Sequence, residues 1–233
     1  MAGAARPPRS PFPFSGMSRC APRCARAEFP TTQPYPEVRY VHQVFDDPPQ
    51  FPPGVDFNGR RNHDEIRFWA DYISPGHRAR YIYDDVGNRG GLHPGDPFVI
   101  AGDQNSDPLD GDSIPGSTQQ LLEHPLVNAR QTPDSLGAPE AAILQGGANA
   151  THRSDPRFDT ADFSDVAPGN LRADYVLPRK SLRIVDSAVF WPVQADPLFR
   201  LTGVFNFAEW GPVGGFPTSD HRLTWTQVRV QGD

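Results

Sequence analysis

Three short acidic segments carry the residues of this chain best suited to chemistry: Gly102-Asp103-Gln104-Asn105, Arg172-Ala173-Asp174-Tyr175 and Thr218-Ser219-Asp220-His221. In the first, Asp103 is a carboxylate that can orient or deprotonate water. Asn105, two residues on, shares its face in an extended strand and offers an amide to a phosphoryl oxygen. In the third, the adjacent Asp220 and His221 can divide duties, provided a bend at a strand start lets both reach one site. His221 then needs an orienting carboxylate on its second ring nitrogen, for which Asp174 is the candidate. These residue types suit hydrolysis of a phosphoester.

Each segment alone has a simpler reading. Gly-Asp and Asn are ordinary turn residues, and Ser219-Asp220-His221 also reads as a turn. All three in order, each at a strand edge, make the joint reading much stronger. Asp103, Asn105, Asp107, Asp110 and Asp112 have the look of a calcium loop, but its sixth position is Pro108 rather than Gly and its twelfth is Ile114 rather than Glu. His63, Asp64 and Glu65 are explained by helix capping without a metal. Arg60 and Arg61 are candidates to contact a substrate phosphate or a loop carboxylate, although an exposed Arg pair is more often only solvated. Trp69, Trp191, Trp210 and Trp225 read as core or rim packing. Asn149-Ala150-Thr151 matches a glycosylation pattern too common to use.

The elements that must hold these residues are legible from about Asn58 onward. Asn62 reads as an N-cap with Glu65 three residues later. Ile66, Trp69, Ala70 and Ile73 then form one apolar stripe on a helix ending before Pro75-Gly76. Pro97-Phe98-Val99-Ile100-Ala101 reads as a strand buried on both faces. A long connection from Ser106 to Asn170 follows, with one helix predicted around Ser117 to Leu122 and otherwise loop composition. Strands are predicted at Ala173 to Leu177, Arg183 to Trp191 and Arg222 to Val230. A helix with several strands points to a layered α/β domain. Strand ends in such domains converge on one rim, so three distant segments can build one site.

The first 53 residues differ from the rest. They hold 12 prolines, and the first 36 residues carry 5 arginines against one acid, Glu28. No helical or strand period is visible, so residues 1–53 are expected to be a disordered Pro/Arg-rich segment: a basic interaction arm or, by preference, an artefactual or decayed leader, including one translated from the wrong frame. The two cysteines, Cys20 and Cys24, fall there and are too few for a zinc site. With 27 prolines and 21 glycines in 233 residues, much of the chain must be loop. The net charge of −6 argues against gripping nucleic acid by bulk electrostatics, yet suits a site where carboxylates hold a cation that faces phosphate. No apolar run approaches the length of a membrane span or a signal-peptide core, so the chain as written is expected to stay in the cytoplasm.

The order GDxN, then Arg172-Ala173-Asp174-Tyr175-Val176-Leu177, then SDH near the C-terminus resembles the second half of the endonuclease/exonuclease/phosphatase superfamily. That superfamily includes DNase I-like nucleases, inositol polyphosphate 5-phosphatases and neutral sphingomyelinases. The run from Asn58 to Arg67 also resembles one in a group of its bacterial members, which are often exported. The resemblance covers Phe57 to the C-terminus. It implies a DNase I-like four-layer α/β-sandwich, incomplete here, with residues 54–233 as the C-terminal portion of the domain. It also implies in-line attack by water on phosphorus, with Mg²⁺ or Mn²⁺ as cofactor and a nucleic acid or small phosphorylated molecule as substrate. Asp103 becomes the base or water-positioning carboxylate and a metal ligand, Asn105 the phosphate-binding amide, and Asp220 a metal ligand. His221 contacts the scissile phosphate, with Asp174 hydrogen-bonded to it. Family members also place an Asn and a metal-binding Glu in an N-terminal half that this reading does not find, and a central His for which His42 is the candidate. Impaired activity is therefore expected, and the alternative is a non-catalytic remnant that at most binds.

Overall fold

The computed structural model describes residues 56–211 and 215–229. The Pro/Arg-rich arm 1–53, with Cys20, Cys24 and His42, lies outside the described residues. Helix α1, Phe57–Ile73, starts earlier than the stripe of apolar residues suggests. Its cap is Asp56, whose Oδ1 accepts the Gly59 amide at 2.7 Å, and not Asn62. Asn62 instead sits inside the helix and donates from Nδ2 to the Gln104 carbonyl at 2.8 Å, so its amide is spent on a tertiary contact. Glu65 pairs with Arg61 one turn back at 3.5 Å rather than closing a capping box. Ser74 ends the helix in an extended conformation just before Pro75 and Gly76.

The apolar stripe buries as expected. Ile66, Ala70 and Ile73 pack with Ile100, Leu121, Val127, Tyr175 and Leu177, with Trp69 partly buried beside them. Ile66 is 1% exposed, a burial that contributes about 1.5–3 kcal/mol. This core covers one face of an antiparallel ribbon, β1 (Val99–Asp103) against β2 (Asp174–Pro178). In β1 only Ile100 is buried, and Val99 is 46% exposed. The expectation of a strand covered on both faces is thus corrected: successive side chains alternate, and among the described residues only the α1 face carries a core. The opposite face presents Asp103 and Asp174, which are registered against each other.

A second antiparallel ribbon joins β3 (Arg183–Val189) to β4 (Thr224–Arg229), with a register shift between Ile184 and Asp186 that marks a bulge. The connection from Ser106 to Asn170 is more structured than its composition suggests. It holds α2 (Gln119–Leu122), α3 (Gly137–Gln145) and two 3₁₀ turns, Gly147–Thr151 and Pro156–Phe158. Helix α3 packs Ala138 against Val189 and Trp191 in a small second core. Gly137 donates its amide to the Trp191 carbonyl at 3.0 Å, and a Cβ there would run into the carbonyl oxygens of Trp191 and Pro192. Two single-turn helices, α4 (Phe199–Thr202) and α5 (Phe207–Trp210), precede the last acidic segment.

Candidate active site

The first acidic segment begins where β1 stops. Asp103 is the last residue of the strand, and the backbone turns rather than extending: Asn105 has φ 47° and donates its amide N–H to Asp103 Oδ1 at 2.6 Å. Asn tolerates this left-handed conformation, and a carboxylate two residues back closes such a turn. Asn105 therefore reaches its place through a turn and not by sharing a strand face with Asp103. The following acids are occupied by backbone. Asp107 accepts the amides of Leu109, Asp110 and Arg172, and Asp110 accepts those of Arg153 and Ser154, so these carboxylates pin loops together.

The second and third segments meet across a hydrogen bond. His221 Nδ1 lies 2.8 Å from Asp174 Oδ2. A carboxylate can only accept, so Nδ1 carries the proton and Nε2 is the ring nitrogen left for a reacting group. Ser219 bends the chain just ahead of β4 by accepting the His221 amide on its Oγ at 3.0 Å. The ring also meets Phe163 edge to face at 5.4 Å. One atom each of Asp103, Asp174 and His221 lie within 4.8 Å of one another, the one such cluster of potential metal ligands among the described residues. Asp220 is outside that cluster. Its carbonyl accepts the Asp162 amide at 2.8 Å, and its carboxylate acts on Asp103 and His221 only as a nearby charge.

Electrostatics follow from this crowding of acids. Burial alone would lower the His221 pKa. The hydrogen bond and charge of Asp174, with Asp103 and Asp220 behind it, outweigh that and push it up to about 9. His221 is thus an imidazolium at neutral pH. Asp103 is exposed as a residue, yet its carboxyl sits among protein atoms that desolvate it, and its pKa is raised. His221 opposes that rise, and Asp174 and Asp220 add to it. With His221 protonated, the ligands left for a divalent cation in this cluster are the carboxylates of Asp103 and Asp174, so such a cation would keep much of its water.

Arg60 and Arg61 are exposed on α1, just before the Asn62 that ties this helix to Gln104, and Arg61 pairs with Glu65. The residues that sequence reasoning missed lie beneath the site. Thr160 Oγ1 is 2.9 Å from Asp174 Oδ2, and Ala161 bridges both Leu171 and His221. Arg222, with no exposed side-chain surface, pairs with Asp162 at 2.9 Å. It also stacks over Trp191 and Phe216, and donates from Nη1 to the Ser219 carbonyl. Burial pushes Asp162 up to about 6 against the pull of Arg222, and pushes Asp159 up to about 9 with Asp107, Asp110 and Asp155 adding to it. The run Asp159-Thr160-Ala161-Asp162 has no hydrophobic period, so only its two acids flanking a threonine could have drawn notice.

The family model described as Endonuclease/Exonuclease/phosphatase family matches residues 6–221, a span that contains all three acidic segments and begins upstream of Phe57. No curated protein and no solved structure matches the chain significantly.

Proposed function

The chain belongs to the endonuclease/exonuclease/phosphatase family, whose members are metal-dependent hydrolases of phosphoesters, and on that premise we propose that it hydrolyses a phosphoester by in-line attack of water. The observation that carries this reading is the meeting of Asp103, Asp174 and His221 from three separate segments at one point. The same reading takes the described elements as part of a DNase I-like four-layer α/β-sandwich. The substrate class is a nucleic acid or a small phosphorylated molecule. Among the described residues no helix is long and apolar enough to cross a membrane.

In this reading Asp103 accepts a proton from the attacking water or positions it. Asn105 donates to a phosphoryl oxygen. Asp174 keeps His221 protonated at Nδ1, and His221 turns Nε2–H toward the scissile phosphate, where its positive charge favours the developing negative charge. Asp103 would hold Mg²⁺ or Mn²⁺ with Asp174 close by, and Asp220, outside the close cluster, would help directly or through water. A cation there supplies Lewis-acid stabilisation of phosphoryl oxygens. Arg60 and Arg61 are assigned to the substrate phosphates.

A second reading, binding without turnover, is favoured by one observation. The close cluster offers only two carboxylates, a sparse set for a hard cation. Release of p-nitrophenol from bis-p-nitrophenyl phosphate by the purified chain, with and without Mn²⁺, separates the two.

A further inference from the structure

We infer that Thr160 is a positioning residue for His221, acting through Asp174: its hydroxyl has one available direction for its proton, and that direction is the carboxylate oxygen that holds the imidazole. The kinetic consequence of this inference rests on the hydrolase reading above, whereas the geometry does not.

A threonine hydroxyl has one proton and two lone pairs. Thr160 Oγ1 accepts two backbone amides, from Ala173 at 3.0 Å and from Asp174 at 2.8 Å. Both lone pairs are thereby occupied, so the rotor that usually leaves a hydroxyl proton free to turn is settled. The proton goes to Asp174 Oδ2, 2.9 Å away. The same Oδ2 accepts Nδ1–H of His221 at 2.8 Å. Asp174 is therefore gripped twice by one oxygen atom of Thr160, through its amide and through its carboxylate. The carboxylate is left with one rotation in which it meets the imidazole.

Thr160 can serve this way because its own place is overdetermined. It is 1% exposed, its amide donates to the Leu171 carbonyl at 2.9 Å, and its carbonyl accepts the Arg222 amide at 2.7 Å. The last of these bonds links it to the residue that follows His221. The segment holding Thr160 thus spans the start of β2 and the bend before β4, and sets the two against each other. A β-branched side chain has few χ1 choices, which keeps Oγ1 where both amides need it. Buried outer partners of this kind are worth tenfold or more in activity when removed.

The test uses the whole chain, metal-free in chelator and ¹⁵N-labelled at histidine, and observes the Nδ1 proton of His221, assigned by its loss in His221→Ala. The wild type and Thr160→Ser, which keep the hydroxyl, are expected to show the resonance downfield. Thr160→Val, which keeps the shape without the hydroxyl, is expected to lose it to exchange while circular dichroism stays native. With bis-p-nitrophenyl phosphate, kcat of Thr160→Val should fall about tenfold or more with KM little changed, and Thr160→Ser should restore it. An unchanged resonance in folded Thr160→Val would overturn the inference. Should the valine variant not fold, Thr160→Ser decides, since its loss of the resonance would overturn the inference equally. A wild type without turnover would count against the hydrolase reading, while the resonance would still decide the role of Thr160.

Discussion

Asp103 and Asp174 face each other across the β1–β2 ribbon, the last residue of one strand registered against the first of the other, with His221 reaching the same point from the bend before β4. Like charges directly opposite in a sheet repel, and here the repulsion is relieved by the His221 imidazolium and is open to further relief by a cation. Mn²⁺ is therefore expected to raise the melting temperature of the wild type, by linkage worth about 2.7 kcal/mol at 100 times the dissociation constant. Asp103→Asn should melt no lower than wild type in chelator and gain much less from Mn²⁺. Differential scanning fluorimetry across a Mn²⁺ series measures both, and an equal gain in the variant would contradict the assignment of Asp103 to the cation.

The Asp174–His221 pair should leave its mark on stability as a function of pH. The folded pKa of His221 is raised to about 9 from 6.5, so its contribution is fully present below about pH 6.5 and is lost as pH rises through 9. In chelator, the difference in unfolding free energy between wild type and Asp174→Asn should be largest near pH 6 and shrink toward pH 9.5. Urea titrations at several pH values would show this, and a difference independent of pH would refute it.

Asp159 predicts the opposite dependence. Asp159 is 1% exposed, its Oδ1 has no hydrogen-bond partner among the described residues, and burial with neighbouring acids pushes its pKa up to about 9. Because that pKa lies above the unfolded value, ionisation works against the fold increasingly as pH rises from about 4 to 9. Asp159→Asn, which cannot ionise, should match or exceed wild-type stability at pH 8 and lose that advantage near pH 4. Melting temperatures at the two pH values test this. A variant less stable than wild type at pH 8 would overturn it.

Arg222 and Asp162 form the one ion pair among the described residues in which both side chains are almost wholly removed from water, 0% and 3% exposed. Removing the cation leaves Asp162 buried with only the Gln145 amide on its Oδ1, at 2.6 Å. Arg222→Met should cost about 3–5 kcal/mol. The double variant Arg222→Met, Asp162→Leu should recover much of that loss. Chemical denaturation of the single and double variants measures the coupling.

What the sequence disclosed is unevenly spread. The period of Ile66, Ala70 and Ile73 marks the buried face of α1, and short β-branched or apolar runs bounded by Gly and Pro locate all four strands within two residues at each end. The start of α1 was hidden because Gly59-Arg60-Arg61 carries no apolar period, and its cap, Asp56, precedes any visible pattern. Helix α3 was hidden in a small-residue run, Gly137-Ala138-Pro139-Glu140-Ala141-Ala142, whose burial is set by the close approach of Trp191. The three acidic segments singled out by residue type and order hold Asp103, Asp174 and His221, which the fold brings to one point. Thr160 and Arg222 were silent because their roles lie in partners fourteen and sixty residues away, a relation with no local pattern.

The most direct measurement is the rate of bis-p-nitrophenyl phosphate hydrolysis in Mn²⁺ for the wild type beside His221→Ala and Asp103→Asn. A rate above the chelated control, falling about 100-fold or more in each variant, is the predicted result. Equal rates in all three proteins, or no metal-dependent rate in the wild type, would contradict a hydrolytic site at the Asp103, Asp174 and His221 cluster.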